Sequence, residues 1–135
     1  MLGIAKADTA EHNNPEGVNV ITPVVCALPG VGEGDPKLCG FDLIRVLAGS
    51  RLADMVGGSE LRERYFCNYE VNEEFRIRFE AAGLVVSAVG PNGEVRAIEV
   101  REHPFYVATL FQPQLTSKAS GVAHPVIEGL LRAAG

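Results

Sequence analysis

His103-Pro104-Phe105-Tyr106-Val107-Ala108-Thr109-Leu110-Phe111-Gln112-Pro113-Gln114 is the stretch on which the fold turns. Between its prolines, Phe105 to Phe111 is a near-continuous apolar run, as expected of a strand covered on both faces. It is the expected central strand. Just upstream, Leu84 to Val89 and Val95 to Val100 flank Gly90-Pro91-Asn92-Gly93, and branched residues around an Asn-Gly pair predict a β-hairpin. Before the hairpin, Asn72 can cap the acidic first turn of a helix running from Glu73 to Ala82, with Gly83 as its stop. Beyond the central strand, Val126, Ile127, Leu130 and Leu131 recur at helical spacing within Pro125 to Ala134, which places an apolar stripe toward the sheet. Strands with helices on either side predict an α/β layered domain.

Toward the amino terminus the signals thin. Tyr65 to Val71 is aromatic-rich, Ser59 to Arg64 predicts a short turn of helix, and Ser50 to Gly57 mixes helix formers with a Gly-Gly stop. Phe41 to Leu47 alternates apolar and polar residues imperfectly, the pattern of a strand with one face on a core. Residues 1 to 40 carry many breakers and read mostly as loop, with one or two short strands in Val18 to Thr22 and Val24 to Leu28.

The 135 residues fit one domain, and 47% apolar with 21% charged residues is the balance of a folded chain. The net charge of −5 is spread thinly with no basic stripe, so nucleic acid is not expected as a partner. No apolar run reaches signal-peptide or membrane-span length, which makes the cytoplasm the default compartment and leaves no membrane role. Cys26, Cys39 and Cys67 are odd in number and lack C-x-x-C spacing, which argues against a disulfide framework or a zinc site. His12, His103 and His124 are scattered without ligand spacing, so no metal is expected, and no phosphate-cradling loop calls for a cofactor.

Three stretches together resemble the carboxy-terminal half of the class I glutamine amidotransferase domain of the CTP synthase type. Glu63-Arg64 and Tyr69-Glu70-Val71-Asn72 match the two ends of that family's E-R-H-R-H-R-Y-E-V-N segment. Ala82-Gly83-Leu84 precedes the hairpin as in the family. His103-Pro104-Phe105, Val107-Ala108, Phe111 and Pro113 follow its H-P-(aromatic)-F-V-A-x-Q-F-H-P-E-F. Weaker agreement runs from Leu2-Gly3-Ile4 to Glu11 and from His124-Pro125 to Ala134, while residues 13 to 58 match poorly.

The resemblance implies a partial amidotransferase-like, flavodoxin-like sheet with flanking helices over residues 1–135, its N-terminal strands missing. A half-sheet open along a central strand exposes an apolar edge, so either the frame is truncated or a homo-oligomer or partner chain covers it. The family's chemistry uses a cysteine on a strand-to-helix elbow, a histidine base and a glutamate that orients it. The last two positions are Gln112 and Gln114 here, and the elbow would lie before Met1. An amide neither takes the proton nor carries the orienting charge, so the implied protein does not hydrolyse glutamine. The family's H-R before Y-E-V-N becomes Cys67-Asn68, which removes the cation expected near the glutamine carboxylate. Cys67, Asn68 and Tyr69 are the candidate contacts to a glutamine-related small ligand. Two alternatives remain open: an interaction or regulatory module that completes its sheet with a partner, and different chemistry with Cys67 as nucleophile.

Overall fold

The computed structural model describes residues 3–135; the Leu2 end of the first weakly matching stretch lies outside the described residues. In chain order the elements are β1 (Ala7–Thr9), β2 (Val18–Pro23), β3 (Leu38–Val46), α1 (Arg51–Val56), β4 (Glu60–Cys67), β5 (Tyr69–Val71), α2 (Arg76–Ala81), β6 (Leu84–Val89), β7 (Val95–Val100), β8 (Val107–Thr109), α3 (Pro113–Ser120) and α4 (Pro125–Ala134). Two sheets form. The smaller is ordered β1-β2-β5, with β1 parallel to β2 and β5 antiparallel; the larger is β4-β3-β6-β7-β8, antiparallel throughout. The layered α/β expectation holds, as a mixed sheet system with helices packed beside it.

Period-two patterning builds the larger sheet. Along β3, Leu38, Ile44 and Val46 are buried while Phe41, Leu43 and Arg45 are exposed; along β4, Glu63 and Tyr65 are buried while Arg62, Arg64 and Phe66 are exposed. The inward residues meet Val24, Leu52, Ala88, Ala97 and Phe111 in the main core, and Val86, Val89 and Val95 form a second cluster. α1 is short but well anchored. Ser50 accepts from the Ala53 N–H, and the buried Glu99 carboxylate accepts from the Arg51 and Leu52 N–H groups, placing negative charge at the helix's positive end.

Several expectations are met. The hairpin pairs Leu84 with Val100, and its turn is closed by the Gly90 N–H to the Glu94 carbonyl at 2.8 Å, with Gly93 at φ +91°. Asn72 caps as predicted, accepting from the Glu74 N–H, although the segment opens with a 3-10 turn over Glu73–Phe75 before becoming α-helical. Gly83 follows at φ +85°, and the apolar spacing of 125–134 is that of α4.

Four expectations need correction. Residues 59–64 are not a helical turn but the start of β4, because pairing with β3 from Arg45–Glu60 to Leu38–Cys67 overrides local propensity. Val24 to Leu28 forms no strand: Val24 is a buried plug tied by its N–H to the Asn68 carbonyl. The first 40 residues are mostly loop as read, with β2 over the expected Val18 to Thr22, but β1 at Ala7–Thr9 is a strand the sequence reading did not include. The apolar run around residue 107 is not central. β8 spans only three residues and, among the described residues, pairs with β7 alone, because the flanks at Pro104 and Pro113 turn the chain away. Among the described residues no helix is long and apolar enough to cross a membrane.

Candidate functional site

The segment leaving β8 turns at Gln112 into α3, with Pro113 in the first helical turn. The Gln112 N–H donates to the Arg64 carbonyl at 2.9 Å, so the turn is pinned to β4. One layer deeper, Glu63 is buried to 2% exposure and both its carboxylate oxygens are occupied. The Thr116 hydroxyl of α3 donates to one oxygen at 2.8 Å, and His124 Nε2 meets the other at 2.9 Å. His124 Nδ1 accepts from the Val126 N–H at 3.1 Å, capping α4. That bond assigns the ring proton to Nε2, so the imidazole is a neutral donor to Glu63. Ser117 closes the circuit, donating to the Pro113 carbonyl and accepting from the His124 N–H at 2.8 Å. One carboxylate on β4 thus ties α3 to the start of α4, next to the 112–114 turn that Arg64 holds.

Beneath this network Phe111 packs edge-on to Tyr65, ring centroids 6.5 Å apart, and lies 6.0 Å from the His124 ring. Tyr65 is fully buried and its hydroxyl has no hydrogen-bond partner. Burial pushes its phenol above the usual range. The Arg96 guanidinium acts the other way, while Asp42, Glu63 and Glu94 add to the rise. Arg96, itself buried, pairs with Glu70 at 2.7 Å and so ties β7 to β5 across the two sheets. Glu94 also faces it: burial raises that carboxyl, but the Asn92 side chain and backbone N–H bonds outweigh this and hold it below the ordinary value.

Two CTP synthases share the pattern of the chain from end to end. The protein from Acidothermus cellulolyticus is 45% identical over 143 residues, covering 99% of this chain and 25% of its own length. That from Aeropyrum pernix is 37% identical over 139 residues, covering 98% and 25%. The chain belongs with the glutamine amidotransferase domains of the CTP synthase type. The solved glutaminase domain of Trypanosoma brucei CTPS, which has acivicin bound, superposes with a TM-score of 0.80 at 24% identity, over 98% of this chain and 52% of that one. No family model matches. The chain therefore spans about a quarter of the length of the curated relatives and about half of the solved domain.

Within this amidotransferase-type domain the residues singled out from sequence fall in two places. Gln112 is half-buried at the α3 cap and Gln114 is exposed one residue past Pro113. Cys67, Asn68 and Tyr69 lie where the chain crosses from β4 to β5, from the large sheet to the small one. Cys67 is half-buried against the main core; Asn68 holds the Lys37 N–H through its side chain and the Val24 N–H through its carbonyl; Tyr69 pairs with Pro23. Cys67 is three residues along β4 from Arg64, the anchor of Gln112, roughly 10 Å of strand.

Among the described residues no thiol shares a hydrogen bond with a histidine, and no group of three or more His, Cys, Asp or Glu is arranged to hold a metal. His12 instead pairs with Asp8 at 2.6 Å, whose carboxyl is held low by the Asn14 side chain first, then by the Thr9 N–H and His12. His103 accepts from the Phe105 N–H. Sequence reasoning missed the Glu63–Thr116–His124 cluster, whose members are up to 61 residues apart. The one local signal was His124 before Pro125, a helix start with a capping side chain.

Proposed function

We propose that this chain is an amidotransferase-type domain that does not hydrolyse glutamine by the family's chemistry and has kept the scaffold of that site. The observation that carries this reading is the turn at residues 112–114, held in place by Arg64 and the Glu63 cluster while presenting two amides in place of a base and its orienting acid. A carboxamide accepts and donates hydrogen bonds but takes no proton at neutral pH. What the site offers is amide recognition, with a glutamine-related small molecule as the ligand class and Cys67, Asn68 and Tyr69 as its contacts. Incubating the purified chain with L-glutamine and measuring glutamate release tests the reading, beside thermal melting with and without L-glutamine. No release, with a raised melting temperature, is expected. Release that disappears on Cys67→Ser would show the chemistry relocated to Cys67 and overturn the proposal.

A second reading, that of an interaction module, is favoured by the edge of β8. The bond from the Leu110 N–H to the Arg96 carbonyl fixes which residues of β8 bond to β7, and it turns the N–H and C=O groups of Val107 and Thr109 outward. Beside that edge lies an apolar hollow of about 190 Å³ between the sheets, with Ile21, Tyr69 and Val71 on one side and Ile98, Ala108 and Leu110 on the other. An added strand with apolar side chains at alternate positions satisfies both features, whichever polypeptide supplies it.

A further inference from the structure

The outer face of the β3–β4 ribbon points away from the main core. Strand register sets Cys39 opposite Phe66, Phe41 opposite Arg64, Leu43 opposite Arg62 and Arg45 opposite Glu60. Phe41, Leu43 and Phe66 are 42%, 49% and 56% exposed, an unusual amount of apolar side chain for one short ribbon. The Arg62 guanidinium lies 4.8 Å from the Phe41 ring centre and that of Arg64 5.8 Å. Among the described residues Arg45, Arg62 and Arg64 enter no ion pair, although the chain as a whole carries a net charge of −5. The ribbon end carrying Arg45 and Glu60 continues into a hollow of about 240 Å³ against Gly90 and Pro91.

We propose that this face docks a partner protein through a segment that sets carboxylates around an apolar centre. Arginine and aromatic side chains are the types enriched where protein interfaces concentrate their binding energy. Arg62 and Arg64, two residues apart on one face, repel each other, and carboxylates from a partner remove that cost while keeping both guanidinium forks in use. A second copy of the chain does not fit, because two-fold pairing of this face would set arginine against arginine. Nucleic acid fits poorly too: Arg62 covers the Phe41 ring that a base would stack on, and the acidic chain repels a polyanion. The proposal is independent of Gln112 and Gln114.

The probe is a fluorescently labelled random copolymer of glutamate and tyrosine, with polyglutamate and an oligo-dT strand beside it, read by anisotropy on the full chain. The copolymer is expected to bind, more weakly as salt rises, and Arg62→Glu with Arg64→Glu is expected to weaken it by about tenfold or more. Phe41→Ser should do likewise, whereas Arg62→Lys with Arg64→Lys should retain most binding. All three side chains face solvent, so unchanged thermal melting is the control for folding. Four results would overturn the docking face: no copolymer binding, binding indifferent to the charge reversal, polyglutamate bound as tightly as the copolymer, or preference for oligo-dT. Self-association abolished by Phe41→Ser in sedimentation would assign the face to a second copy instead.

Discussion

Tyr65 shows what a single atom contributes. Its ring fills the main core, but its hydroxyl is buried without a partner, a desolvation cost of about 1–3 kcal/mol. Tyr65→Phe is therefore expected to leave stability unchanged or raise it by up to about 1–2 kcal/mol at neutral pH, measured by urea denaturation. The pH dependence has a definite sign. The folded phenol holds its proton above the ordinary tyrosine value of about 10, so above that pH the unfolded state has lost a proton the folded state keeps. Stability should fall as pH rises past about 10, and Tyr65→Phe should flatten that fall. Glu63 is the opposite case, a buried group with each oxygen used. In Glu63→Gln only one oxygen remains to accept from both Thr116 and His124, and the lost charge-assisted bond should cost about 1.5–3 kcal/mol in the same measurement. Neither residue's role is visible in the sequence, where Glu63 reads as half of a charged Glu-Arg pair and Tyr65 as one of several aromatics.

Among elements, α2 ends because Gly83 adopts φ +85° with open space where a Cβ would stand. Gly83→Ala therefore meets only backbone strain and should cost about 1–2 kcal/mol, seen as a lower urea midpoint with unchanged slope. β8 carries a different signature. Hydrogen exchange should be fast at Val107 and Thr109, whose N–H groups face the open edge, and slow at Ala108 and Leu110, which are bonded to β7. Slow exchange at all four would mean that the edge is already paired, and the strand-acceptor reading would then apply to an occupied edge. Caps and turns at this scale were legible because they depend on neighbours in sequence: Asn72, Gly83 and the Asn-Gly hairpin each specify their own backbone.

For the molecule as a whole, the two sheets are joined by the continuous passage from β4 to β5 and by the buried Arg96–Glu70 pair. Arg96→Leu leaves Glu70 without its partner and removes the tie between β7 and β5, so the small sheet should loosen. The expected outcome is a cost of about 3–5 kcal/mol, with exchange at Ile21 and Val71 accelerating more than at Ile44.

What the sequence determined by itself was the set of local structures and the family pattern. Period-two strands, the hairpin, the Asn72-capped helical segment that begins at Glu73 and the ordered motifs from Glu63 to Pro113 all follow from residues close together along the chain. The tertiary structure alone decided the rest, because pairing and burial join residues that sequence keeps apart. Only the register with β3 made 60–64 a strand instead of a helical turn, and only the one-sided pairing with β7 made an apolar run an edge strand. Only folding closed 61 residues of separation to seat His124 on Glu63, and only the pleat turned Phe41, Arg62, Arg64 and Phe66 to the same open face. Long-range contacts of this kind have no local signal, since loop closure brings together residues whose neighbours in sequence carry no trace of the meeting.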